Sequence, residues 1–92
     1  MLFALTCIDK PDSEDLRLAN RDAHLAYWGE TGKVKLGGPF TDDAAEHMEG
    51  SFLVIDVADR AEAEHLQAED PYQTAGLFAR VDIRAWKWLL GN

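Results

Sequence analysis

The sequence predicts an α+β fold, a ferredoxin-like βαββαβ chain whose four strands form one antiparallel sheet with both helices on the same face. Three observations predict it. Residues 2–8 form an unbroken apolar run, residues 14–31 carry a helical pattern that stops near Gly32, and the chain alternates strictly from Leu77 onward. Two more apolar segments and one shorter helical pattern lie between, and that order folds most simply as a ferredoxin-like sheet. A chain of 92 residues supports one core, so residues 1–92 form a single domain.

The first strand, residues 2–8, is apolar on both faces, the pattern of a strand covered on two sides. It contains the lone Cys7, which has no partner for a disulfide or a metal site and reads as a small buried residue. Asp12 or Ser13 can cap the first helix, and Glu14 and Asp15 suit its positive end. Val34 to Leu36 leads into Gly37-Gly38-Pro39-Phe40, a second strand whose glycines point to a bulge or a close backbone approach. The acidic stretch 42–49 reads as a solvated hairpin loop ending at Gly50, and residues 51–57 form the third strand. Asp59 and Glu62 make a capping box for a second helix over 60–68, which Asp70-Pro71-Tyr72 breaks. The last strand places Leu77, Ala79, Val81, Ile83 and Ala85 on one face and Phe78, Arg80, Asp82, Arg84, Trp86 and Trp88 on the other.

Composition narrows the function. Apolar residues make up 47% and charged residues 28%, which is ordinary globular usage. Seventeen acidic against nine basic residues give a net charge of -8, which repels phosphate backbones and anionic lipid, so neither nucleic acid nor membrane is expected as a partner. The opening residues lack the basic region and cleavage site of a signal peptide, and a cytoplasmic location is expected. The second face of the sheet has no cover within the chain and would be a large apolar patch in a monomer. A homodimer packed sheet to sheet is expected, with Trp86-Lys87-Trp88 reaching toward the partner. The alternative is that these tryptophans cover their own subunit's edge.

The first helix carries the chemistry. At about 100° per residue, Asp15, Asp22 and Glu30 share a solvent sector, and Arg17, Arg21, His24 and Trp28 lie opposite, facing inward. An inward histidine is either a satisfied core residue or a group in a pocket, kept neutral by burial and nearby cations and able to accept a proton. Asp70, beside a proline at a rigid break, is the best candidate for its carboxylate partner. His47 and His65 sit among acidic residues and read as solvated. No spacing resembles a zinc site, no glycine-rich loop opens a helix, and the acidic loop lacks the ligand pattern of a calcium site, so no metal and no cofactor is expected.

Four segments then add up to a resemblance: Arg21-Asp22-Ala23-His24-Leu25, Gly37-Gly38-Pro39-Phe40, Gly50-Ser51, and Asp70-Pro71-Tyr72 followed by Ala75-Gly76-Leu77. In their order and spacing the chain resembles the YciI-like (YCII-related) family over almost its whole length. The resemblance implies a dimeric α/β barrel of ferredoxin-like subunits, akin to muconolactone isomerase. It also implies a His-Asp dyad, here His24 and Asp70, with Gly38, Ser51 and Tyr72 lining the pocket. One family member eliminates chloride from a hydroxylated chloroaromatic with such a dyad, and most members have no assigned reaction. Arg21 is counted among the substrate-binding residues. The helix arginines either attract an anionic or phenolate substrate or pair with acidic residues of the chain.

The expected function is proton abstraction, in elimination or isomerisation of a small cyclic or aromatic compound. His24 acts as general base and Asp70 orients it. Alanine at either position is expected to abolish turnover with little change in melting temperature. Two other classes compete: a non-catalytic small-ligand-binding or accessory domain on the same dimeric barrel, and an interaction module working through residues 86–89.

Overall fold

A strand that is apolar on both faces needs neighbours on both edges, and β1 (Leu2–Asp9) has them. In the computed structural model, which describes residues 1–91, it pairs antiparallel with β3 (Met48–Asp56) and with β4 (Phe78–Trp86). β2 (Val34–Thr41) pairs with the far edge of β3, so the sheet order is β2-β3-β1-β4. The helices α1 (Glu14–Thr31) and α2 (Arg60–Ala68) and the single turn α3 (Pro71–Thr74) complete a ferredoxin-like α+β fold. Among the described residues no helix is long and apolar enough to cross a membrane.

Directly opposed residues of paired strands share a face. Phe3, Leu5 and Cys7 therefore lie with Ile55, Leu53 and Ser51 of β3, and with Ala85, Ile83 and Val81 of β4. That face packs against Trp28 of α1 and Ala63 of α2 to form the core. Burial pushes the Cys7 thiol up to about 12, with the charges of Asp70 and Asp9 adding, so it stays a protonated core group.

The opposite face carries Leu2, Ala4, Thr6 and Ile8 beside Val54, Phe52 and Gly50, with Leu36 and Phe40 on β2. Phe40 and Trp86 remain 37% exposed there. On β4 the same face bears Arg80, Asp82 and Arg84.

Several boundaries differ from the sequence expectation. β4 stops at Trp86 because its pairing partner begins at Leu2, opposite Trp86. Leu89 and Leu90 lie beyond it, exposed. A register shift at Ile8/Asp9 pairs Asp9 with Phe78, which puts Phe78 on the core face with Val81 rather than with Arg80. β3 starts at Met48, three residues before the expected strand, because Asp42 closes the loop by accepting from the Glu46 and His47 N–H groups. Ser13 occupies the α1 N-cap, but its hydroxyl donates to the Pro11 carbonyl and makes no cap bond. In α2 the Asp59 carboxylate does accept from Glu62 N, at 2.9 Å, while Glu62 reaches back to Ala58 N. The buried stripe of α1 is narrower than its composition suggests, since Leu16, Leu18 and Leu25 are exposed.

Candidate active site

Spacings of seven and four residues put Arg17, His24 and Trp28 on one line of α1, and all three are buried. Facing them is Asp70, held at the N-cap of α3 by Pro71 in the first helical turn. Its side chain is 2% exposed and accepts three hydrogen bonds. Tyr72 N donates to Oδ1 at 2.9 Å, Trp28 Nε1 donates to Oδ2 at 3.0 Å, and His24 Nδ1 lies 2.8 Å from Oδ1.

Donor counting assigns the imidazole. Two fixed N–H groups already point at the carboxylate, so it is held as an acceptor and Nδ1 carries the proton it donates. Nε2 is then the free lone pair. Among the described residues it makes no hydrogen bond, and no buried side-chain nitrogen or oxygen is sealed without a partner, so Nε2 opens to the cavity. The ring is stacked on Tyr72, with centroids 3.9 Å apart and planes at 16°, which fixes its tilt as Asp70 fixes its rotation.

Next to this pair lies a second buried ionic group. Arg17 donates through Nε and Nη2 to the two oxygens of Asp9, at 2.7 and 3.1 Å, and through Nη2 to Ser51 Oγ at 2.8 Å. Its guanidinium carbon stands 4.6 Å from the Tyr72 ring centre. Burial raises the Tyr72 hydroxyl above its ordinary pKa, although Arg17 opposes the shift, so it is a donor at neutral pH.

These side chains border an open cavity of about 660 Å³ between α1 and the β2–β3 hairpin. Arg17, His24, Ser51 and Tyr72 are among its polar lining, and Trp28, Val34, Pro39 and Leu53 among its apolar lining. The lining combines polar groups with apolar walls, in a volume suited to a small ring compound.

The residues singled out in the sequence have distinct places. His24, Arg21, Gly38, Ser51 and Tyr72 all border the cavity, whereas Asp70 lies behind His24 and reaches it only through the imidazole. Arg21 is exposed at the rim. The sequence puts Arg17 and Trp28 on the inward sector, offers Arg17 only the two general alternatives of the helix arginines, and gives Trp28 no role. Asp9 reads as a turn residue, and only the packing of β1 against α1 brings it to Arg17.

His47 is exposed yet engaged. Its Nδ1 lies 2.9 Å from Glu14 Oε1, and Met48 N donates to Glu14 Oε2 at 3.2 Å, tying the β2–β3 loop to the start of α1. The shared hydrogen bond raises the His47 pKa and lowers that of Glu14.

Fold and site together define a ferredoxin-like domain with a buried carboxylate holding an imidazole at the edge of a ring-sized cavity. The sequence profile of the YCII-related domain matches residues 1–87, and the chain belongs to that family. Protein YciI of Escherichia coli O6:H1 is 30% identical over 95 residues, spanning 95% of this chain and 97% of its own. The YciI of Shigella flexneri matches equally. Among solved structures, the 5-chloro-2-hydroxyhydroquinone dehydrochlorinase of Burkholderia phenoliruptrix, in complex with 2,5-dihydroxybenzoquinone, is similar with TM-score 0.86 and 36% identity over 95% of this chain and 94% of that one. An antibiotic biosynthesis monooxygenase superposes with TM-score 0.60 at 12% identity over 97% of this chain and 99% of its own, a likeness of fold alone.

Proposed function

We propose that the protein is a cofactor-free enzyme of lyase or isomerase type that moves a proton on a small hydroxylated aromatic or cyclic compound. His24 Nε2 is the base, and Asp70 is the residue that positions it. The observation that carries this reading is the 2.8 Å bond from His24 Nδ1 to a carboxylate whose other contacts are fixed donors. That arrangement turns the second ring nitrogen toward the cavity and stabilises the imidazolium that forms when it takes a proton. The similarity to a dehydrochlorinase that binds a hydroxylated quinone supports the substrate class.

For a chlorinated hydroquinone the sequence of steps balances without an oxidant. Nε2 takes a proton from a ring hydroxyl, and the imidazolium returns it to the chlorine-bearing carbon, which gives the keto form and restores the base. A second deprotonation then expels chloride with its bonding pair, and HCl is the net loss. We further propose that the working unit is a homodimer in which a second copy covers the open sheet face, since Phe40, Phe52, Leu36 and Trp86 would otherwise stay in water.

Chloride release from 5-chloro-2-hydroxyhydroquinone tests the reading. The wild type is expected to release chloride, and His24→Ala to lose about 100-fold or more of that rate. Binding of the ring without turnover, changed only in affinity by His24→Ala, would instead identify a ligand-binding domain.

A further inference from the structure

We propose that Arg17, with the hydroxyls of Ser51 and Tyr72, forms an oxyanion subsite that holds a negatively charged ring oxygen of the substrate while His24 takes the proton. The inference deepens the proposed proton-transfer reading and rests on it for the substrate class, a phenolate or enolate.

A guanidinium has five N–H donors in a fixed fork. In Arg17 the Nε–H and both Nη2 hydrogens are committed to Asp9 and Ser51. The two Nη1 hydrogens have no partner among the described residues, although the side chain is only 3% exposed. No side-chain nitrogen is sealed without a partner, so Nη1 meets the cavity that Arg17 borders.

Two further donors lie beside it. Ser51 Oγ accepts from Nη2, so its own proton turns elsewhere, and Ser51 borders the same cavity. The Tyr72 hydroxyl has no partner among the described residues. The Tyr72 ring is stacked on His24 and approached by the Arg17 guanidinium, so one rigid side chain spaces the base from the cation. Asp9 holds the guanidinium in place, which removes the reorganisation cost when charge develops on the substrate oxygen. Arg21 at the rim has no ion pair among the described residues and adds a positive charge at the entrance.

The test uses 4-nitrophenolate at a pH where it is ionised, with 4-nitroanisole, the same ring without the anionic oxygen, as control. Calorimetry on the wild type is expected to show the phenolate bound tighter than the anisole. Arg17→Met together with Asp9→Asn keeps the buried charges balanced. It is expected to weaken the phenolate by about 10-fold or more and leave the anisole unchanged. Ser51→Ala, which leaves that ion pair intact, is expected to weaken the phenolate by a few-fold. Equal affinity of the wild type for the two probes, or phenolate affinity unchanged in both variants, overturns the subsite. Loss of the subsite with His24-dependent turnover intact would strike this inference alone, and Arg17-dependent phenolate binding without any turnover would strike the proton-transfer reading alone.

Discussion

Trp28 donates its indole N–H to Oδ2 of Asp70 at 3.0 Å, so the carboxylate that orients His24 is itself oriented from the next turn of the same helix. Its two side-chain partners and the Tyr72 N–H hold it against rotation. Trp28→Phe keeps most of the buried ring and removes this one donor. A loss of about 1–2 kcal/mol in urea unfolding is expected. A fall in kcat is expected alongside, because the change loosens the carboxylate that positions the base.

Asp70 carries more than orientation. It caps α3 and satisfies three N–H groups, so Asp70→Ala leaves His24, Trp28 and Tyr72 N without their acceptor. The sequence expectation of an unchanged melting temperature is thereby replaced by a loss of about 3–5 kcal/mol, combining cap and unpaired buried donors. Denaturant unfolding of Asp70→Ala beside His24→Ala checks it, with the Asp70 variant expected to be the less stable.

The tie between the β2–β3 loop and α1 gives a pH dependence with a definite sign. His47 has a raised pKa when folded, so its share of stability is present at low pH and is lost as pH rises through that raised value. Glu14 has a lowered pKa, so its share is present above the ordinary carboxylate range and is lost as pH falls through the lowered value. The gap in melting temperature between wild type and His47→Ala should be widest between the two and close as pH rises through the raised His47 value. A gap that grows with rising pH would contradict the geometry.

Among the glycines, Gly50 is the one the sheet cannot replace. A Cβ there would run into the Cys7 carbonyl of the central strand, which has nowhere to move, whereas a Cβ at Gly38 would meet no protein atom. Gly50→Ala is expected to destabilise by about 1–3 kcal/mol. Gly38→Ala is expected to leave the melting temperature nearly unchanged. Thermal scans of the pair decide it.

The open sheet face predicts its own assembly. Sedimentation is expected to give twice the chain mass for the wild type, and the monomer mass for Phe52→Lys, which places a charge amid Phe40 and its neighbours on that face. A monomeric wild type would contradict the dimer.

Much of the fold was legible because its signals are local. The apolar run of β1, the Gly32 stop and the Asp59–Glu62 cap each depend on a few neighbouring residues, and the helix bounds follow from them. The β-strand ends were less legible, since β4 stops where β1 runs out and the Phe78 shift depends on cross-strand register. In the site, His24 and Arg17 show on the helix face, but the Asp9–Arg17 fork joins a strand end to a helix. No spacing in the sequence reports that contact.

The central claim is a protonation pattern, and ¹⁵N NMR of histidine-labelled protein reads it directly. The account predicts that His24 carries its proton on Nδ1, with an unprotonated Nε2 whose resonance shifts when a ring ligand is added. A proton on Nε2 in the neutral ring, or an Nε2 signal indifferent to every ring ligand that binds, would contradict it.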